Sequence, residues 1–267
     1  MTVTTAIAID PLFRAATVAE LRKDDLVRLA TQTSACAHVQ SLLGQVLCAE
    51  LVDLIDAMPL SGVDQERVYP PVLRFGPTLN DFAMDGRLDP AYWRQAESSR
   101  AAWAAAALPY DPLRICLERI GEAWGAPVGP ARIGGREVLA GTIRQSDGGL
   151  RVHFDEVARE FPHGLFDQRL LAQLAINVYL TMPDEGGETT IWRRTWTPAD
   201  EEARIGFGYD RRVVDGVQAV TVRPAPGDAL VFNPRFYHAV APGEFGRRVS
   251  VAMFLGLAAD GSIAVWS

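Results

Sequence analysis

The stretch RVHFDEVAREFPHG, residues 151 to 164, holds two of the chain's four histidines. His153 and Asp155 stand two apart, with Phe154 between them. On a strand, residues i and i+2 project from the same face, so an imidazole and a carboxylate at this spacing can converge on one point. Both are suitable ligands for divalent iron, manganese or zinc; the alternative is a chance pairing on a half-buried strand. His238 supplies a third ligand, in PGDALVFNPRFYHAVAPGEFGRRVSVAMFLG, where a Pro-Gly-Asp turn opens a strand and the histidine is expected at its end. Two histidines and one carboxylate make a facial triad, which leaves three positions of an octahedral iron open for other ligands. Further on, Arg248 and Ser250 share one strand face and Arg247 takes the other. A guanidinium fork beside a hydroxyl is a receptor for the far carboxylate of a dicarboxylate, whereas Arg248 taken singly reads as a surface arginine.

The elements that must position these groups fall into two kinds. In the first half, TVAELRKDDLVRLATQ and CAELVDLIDAMP carry apolar residues at helical spacing. DPAYWRQAESSRAAWAAAALP and DPLRICLERIGEAWG each begin with Asp-Pro, a cap followed by a first-turn proline, and Gly125 is a stop signal. Trp93, Trp103 and Trp124 are expected to pack these helices together. The second half turns to short segments rich in β-branched and aromatic residues, among them GLRVHFD, LAINVYLTM, ETTIWRRTW and RRVSVAMFLGL. Seven or eight such strands between turn residues predict an antiparallel sandwich or jelly roll, and helices followed by strands predict an α+β protein. One domain over residues 1–267 is expected: a mainly helical part to 134, a strand core over 135–258 and a tail from 259.

Composition sets outer bounds. With 267 residues, 48% hydrophobic and 22% charged, the chain can bury a sizeable core. A formal net charge of -7 argues against a nucleic-acid-binding surface. Lys23 is the only lysine, so arginine must recognise any carboxylate. Cys36, Cys48 and Cys116 form no CxxC pair, which predicts a reduced, cytoplasmic chain without a thiolate metal site. The start MTVTTAIAIDPLFRAA lacks the pattern of a signal peptide, and no apolar run is long enough to predict a membrane span. No motif assigns an oligomeric state.

His153-x-Asp155, the later His238 and GRRVS together resemble the Fe(II)/2-oxoglutarate-dependent oxygenases with a double-stranded β-helix, a jelly-roll or cupin-like core with flanking N-terminal helices. INVYLTMPDEGGETTIW is similar to the strand, acidic Gly-Gly turn and strand of their prolyl-hydroxylase-like branch. VYPPVLRFGPTLNDF, QLAINVYLTMPDEGGETTIWRRTW and the terminal IAVWS resemble standalone alkaloid halogenases and the related hydroxylases of N-acylated amino acids. In the halogenases a glycine replaces the metal-binding carboxylate and frees a site for chloride. This chain has Asp155 there, which points to hydroxylation.

The resemblance implies Fe(II), 2-oxoglutarate and O2, with His153, Asp155 and His238 on the metal and Arg248 and Ser250 on the distal carboxylate. The expected outcome is hydroxylation of an unactivated C–H bond in a free or N-substituted amino acid or another natural-product intermediate, with succinate and CO2 as co-products. Desaturation or cyclisation by the same oxidant, a zinc hydrolase on the same His-Asp-His set and a non-catalytic cupin-like binder are the alternatives. Asn177 and Tyr179 share a strand face and are expected either to touch 2-oxoglutarate, or orient a ligand, or to make structural hydrogen bonds. Arg144, on one face with Thr142, is a candidate for a substrate or co-substrate carboxylate. Arg74 corresponds to a region bordering the substrate pocket in the similar hydroxylases; its other reading is a solvated loop arginine. His163 reads as a loop residue in water, His38 as a surface or packing residue in a helical stretch, and GYDRRVVDG as part of a lid.

Overall fold

The structure, a computed structural model, describes residues 9–56, 58, 60–62, 68–106 and 111–267. Two sheets face one another. The larger runs, in spatial order, Ala15–Val18, Cys36–Val39, Ala229–Phe232, Leu170–Thr181, Val249–Ala258, Thr142–Gln145, Leu73–Phe75 and Ser61–Gly62. Ile263–Trp266 continues one edge of Val249–Ala258 and pairs on its other side with Val128–Pro130. The smaller sheet runs Arg204–Ile205, Gly208–Tyr209, Leu150–His153, Phe236–Val240, Thr189–Thr195 and Ala219–Val222. This is the double-stranded β-helix of an α+β protein.

Strand alternation divides the interior in two. Along Leu170–Thr181, residues Leu174, Ile176, Val178 and Leu180 face the helices, and along Val249–Ala258 so do Val249, Val251, Met253 and Leu255. Helices α1 (Lys23–Ala30), α2 (Gln45–Ile55) and α4 (Pro112–Trp124) cover that face with Leu26, Leu29, Leu51, Ile55 and Ile120. The odd positions Ala175 and Tyr179, with Phe254, look into the space between the sheets. Both faces of the central strands are therefore buried, which is why these strands are so apolar. Helix α4 begins and ends as its sequence dictates: Asp111 accepts from the amides of Leu113 and Arg114, and Gly125 takes the left-handed conformation. Helix α3 (Ala91–Ala105) starts one residue past its Asp-Pro, with the Asp89 carboxylate on the amide of Ala91.

Several expectations are corrected. The first 134 residues also contribute strands to the larger sheet, and His38 lies on one of them, Cys36–Val39, rather than on a helix. Residues Ala35 to Val39 have no strong local preference; pairing with Ala229–Phe232 decides their conformation. The tail from 259 forms the strand Ile263–Trp266, whose Trp266 is fully buried against Phe166 and Phe254. Trp124 of α4 joins another helix, with the Lys23 ammonium of α1 4.7 Å from its ring centroid, while Trp93 and Trp103 meet other elements. Trp103 lies on Phe75, Trp93 under the Arg136 guanidinium, and Trp124 donates to the carbonyl of Gly261. Cys36, Cys48 and Cys116 are buried and unpaired.

The Pro-Gly-Asp turn is closed by Asp228. Its carboxylate accepts from the amides of Ala225 and Ser41, both at 2.9 Å, and meets His38 Nε2 at 2.6 Å. Burial raises the Asp228 carboxyl, but these donors outweigh it and hold the group below the usual range. Asp228→Ala would strand two amides at the junction of the N-terminal strand and the sheet. The expected loss is about 2–4 kcal/mol in urea denaturation, with the binding of a divalent metal unchanged.

Candidate metal centre and its cavity

Leu150–His153 and Phe236–Val240 are antiparallel neighbours in the smaller sheet, and their register places His153 opposite His238. The two imidazoles lie side by side with ring centroids 4.1 Å apart. Each ring is fixed by its own strand: Nδ1–H of His153 donates to the carbonyl of Arg151 at 2.7 Å, and Nδ1–H of His238 to that of Phe236 at 2.9 Å. This selects the tautomer whose Nε2 lone pair points inward, as a metal ligand requires. Asp155 follows its strand, and its amide donates to the carbonyl of Pro234 in the turn just before Phe236–Val240. Its Oδ2 lies 3.5 Å from His238 Nε2 and 4.0 Å from His153 Nε2.

Among the described residues this is the group of three ligand atoms that converges within 4.8 Å. Burial, followed by the neighbouring His238, pushes the His153 imidazole down to about 4, so it is neutral and able to ligate at physiological pH. Burial alone would raise Asp155, but the neighbouring His238 and the other charges around it keep the carboxyl low. Two imidazoles and one carboxylate, already oriented, fit a divalent iron. The sequence expectation is amended in one respect: His238 belongs not to the strand opened by the Pro-Gly-Asp turn but to the next one, across the Asn233-Pro234-Arg235 turn and in the facing sheet.

Arg248 stands beside this centre, almost fully buried at 4% exposure. Its guanidinium donates to Ser146 Oγ at 2.9 Å, to the Gly187 carbonyl at 3.2 Å, and to the hydroxyls of Tyr179 and Thr189 at 3.4 Å. All four acceptors are neutral, so this buried charge suits an incoming carboxylate. Gly187 is held by the acidic Gly-Gly turn, where Gly186 has φ of 73° and a Cβ would lie 1.9 Å from the Pro242 carbonyl oxygen. Only glycine permits that approach.

Cross-strand register then sets Arg74, Arg144, Ser250 and Tyr179 in one row, and Thr142, Ala252 and Asn177 in the next. Asn177, Ser250, Arg144 and Arg74 line a cavity of about 1040 Å³, mouth included, with the three ligand residues and Arg248. Tyr179 is fully buried and does not line it; its hydroxyl serves Thr189 and Arg248. Arg74 is no solvated loop arginine: it sits on a strand, with its guanidinium on Asp81 and on Thr78 Oγ1 at 3.1 Å. Arg144 donates through Nε to Thr142 Oγ1 at 3.3 Å and has no carboxylate within ion-pair distance among the described residues. Burial, then the like charge of Arg74, lower its pKa, partly offset by Asp155 and Asp81. His163 is exposed on its loop, as expected, and His38 pairs with Asp228 away from the site. Ser146, Thr189 and Phe207 also reach the cavity; Ser146 lay two residues past Arg144, but nothing in the sequence marked the other two.

Residues 123–267 match the family model described as the carrier-protein-independent halogenase WelO5. Over 261 residues the chain is 40% identical to an L-gamma-glutamyl-L-propargylglycine hydroxylase of Streptantibioticus cattleyicolor, covering 96% of each protein. A 131-residue stretch, 47% of this chain and 53% of the other, is 30% identical to leucinostatins biosynthesis cluster protein S of Purpureocillium lilacinum. In fold the chain is similar to an N-substituted L-amino acid dioxygenase from Burkholderia ambifaria AMMD in complex with alpha-KG, at 14% identity, with a TM-score of 0.61 over 92% of this chain and 91% of that one. With the His-Asp-His centre and the caged arginine beside it, these likenesses lead to one assignment: the chain belongs to the Fe(II)/2-oxoglutarate-dependent oxygenases, in the family of the carrier-protein-independent halogenase WelO5, and is a hydroxylase with its metal-site aspartate in place.

Proposed function

We propose that the enzyme hydroxylates an unactivated carbon of a small free or N-substituted amino acid, held through its carboxylate by Arg144. The observation that carries this reading is the Arg144 guanidinium, which lines the cavity beside the metal centre and, among the described residues, has a hydroxyl as its hydrogen-bond partner and no carboxylate paired with it. The named activities of the relatives, on a γ-glutamyl amino acid in one case and N-substituted amino acids in the other, support the same substrate class. Zinc hydrolysis and non-catalytic binding would give Arg248 and its cage of hydroxyls no task.

His153, Asp155 and His238 would hold Fe(II), and the guanidinium of Arg248, with Ser250 beside it, would bind the distal carboxylate of 2-oxoglutarate. Bound iron, with 2-oxoglutarate and O2, supplies an oxidant able to take hydrogen from an unactivated carbon, and succinate and CO2 are the co-products. The chain's own contribution is placement. Nδ1 hydrogen bonds fix the two imidazoles, Tyr179 and Thr189 steady Arg248, and Arg144 anchors the substrate so that one carbon faces the metal. Asp155 would hold the metal through a carboxylate where the similar halogenases have a glycine, so transfer of oxygen is the expected outcome. Arg74 is paired with Asp81 and serves as a wall of the cavity rather than as the primary anchor.

His238→Ala should abolish Mn(II) binding in calorimetry and lower turnover at least about a thousandfold, whereas His163→Ala should change neither. The two arginines should separate by ligand. Arg248→Lys loses the fork and should raise KM for 2-oxoglutarate by about 10- to 100-fold with little effect on the substrate, and Arg144→Gln should do the reverse. Mass spectrometry of the product should show a gain of one oxygen; a loss of two hydrogens would redirect the assignment to desaturation.

A further inference from the structure

One aromatic ring outside the ligand set touches a metal-site imidazole from the solvent side. Phe207 lies with its ring centroid 5.3 Å from that of His153, and Phe232 brackets His238 from the other side at 4.8 Å. Their settings differ. Phe232 is part of the core, whereas Phe207 is half-buried, joins no core cluster and sits at the tip of the hairpin formed by Arg204–Ile205 and Gly208–Tyr209.

That hairpin pairs with the ligand-bearing strand. Tyr209 pairs with Val152, and Gly208 packs so closely that a Cβ there would lie 2.8 Å from the Val152 carbonyl oxygen. At its base, Glu201 accepts from Arg204 Nε at 2.6 Å, Trp196 Nε1 at 2.8 Å and the Tyr209 hydroxyl at 3.0 Å. These donors, Arg204 foremost, hold the Glu201 carboxyl down to about 2. Tyr209 in turn packs on Tyr237 and Phe154. Gly208 and Tyr209, which open the segment expected to be a lid, are thus held to the ligand strand, and Phe207 just before them forms a wall.

Two hollows meet at that wall. The main cavity lies on one side; on the other is a smaller recess lined by Tyr69, Arg151, Ile205 and Gly208. Phe207 and His153 border both. We propose that Phe207 is a specificity-determining residue: its ring separates the recess from the reaction cavity, shields the outer edge of His153, and limits the length of the apolar side chain that a substrate can present to the metal. This rests on the reading of the substrate as an amino-acid-like molecule lying in the main cavity. Its chemistry is simple, since an apolar ring can take the aliphatic part of such a substrate while Arg144 takes the carboxylate.

Phe207→Ala tests both halves. In metal-free protein, diethylpyrocarbonate should modify His153 several-fold faster than in wild type, relative to His238, which borders the main cavity and not the recess. Peptide mass spectrometry reads that ratio, and an unchanged ratio overturns the partition. Protein loaded with Mn(II) and 2-oxoglutarate is then titrated by calorimetry with N-acetyl and γ-glutamyl amino acids of increasing side-chain length. The variant should shift preference toward longer side chains by about tenfold, with Phe207→Leu in between. An unchanged length preference overturns the specificity role. If wild type binds none of these probes, the amino-acid reading fails, and the histidine ratio still decides whether Phe207 is the partition.

Discussion

The two imidazoles face one point because the strands carrying them run side by side in register, Leu150–His153 paired with Phe236–Val240 and His153 opposite His238. Each histidine spends its Nδ1–H on the carbonyl two residues back, so the strand that places the ring also sets its tautomer. The Pro234 carbonyl completes the arrangement by fixing the Asp155 amide, which ties the third ligand to the second strand. The centre is thus a property of one strand pair and its turn. The larger sheet and the helices behind it serve to keep that pair flat against the opposite wall.

Charge is distributed across the cavity with the same economy. Arg74 is answered by Asp81, and the ligand aspartate faces the two imidazoles. Among the described residues, Arg248 and Arg144 have hydroxyl and carbonyl partners and no paired carboxylate. Guanidiniums held by neutral acceptors suit an incoming carboxylate. The row Arg144, Ser250 and Tyr179 exists because three antiparallel strands share one register. A slip of one residue would turn all of these groups into the helix-packing core.

Much of this was legible from the chain because the strand period is two. His153 with Asp155, Arg248 with Ser250, and Thr142 with Arg144 are pairs whose common face follows from spacing alone. The caps of α4 were readable for a similar local reason, since Asp-Pro and Gly act within a few residues. What escaped reading depends on partners far away in sequence. Cys36–Val39 becomes a strand through Ala229–Phe232, and His238 changes sheets because the chain turns at Asn233-Pro234-Arg235. Phe207 reaches the site because its hairpin grafts onto the ligand strand. None of these has a signature in its own neighbourhood.

The three cysteines bear on the enzyme's endurance. Desolvation pushes the thiols of Cys36 and Cys116 up to about 12 and that of Cys48 to about 11. At neutral pH they carry almost no thiolate, the form that peroxides attack. A catalyst that handles O2 releases stray oxidants whenever a cycle misfires, and these three buried cysteines offer them almost no thiolate to attack.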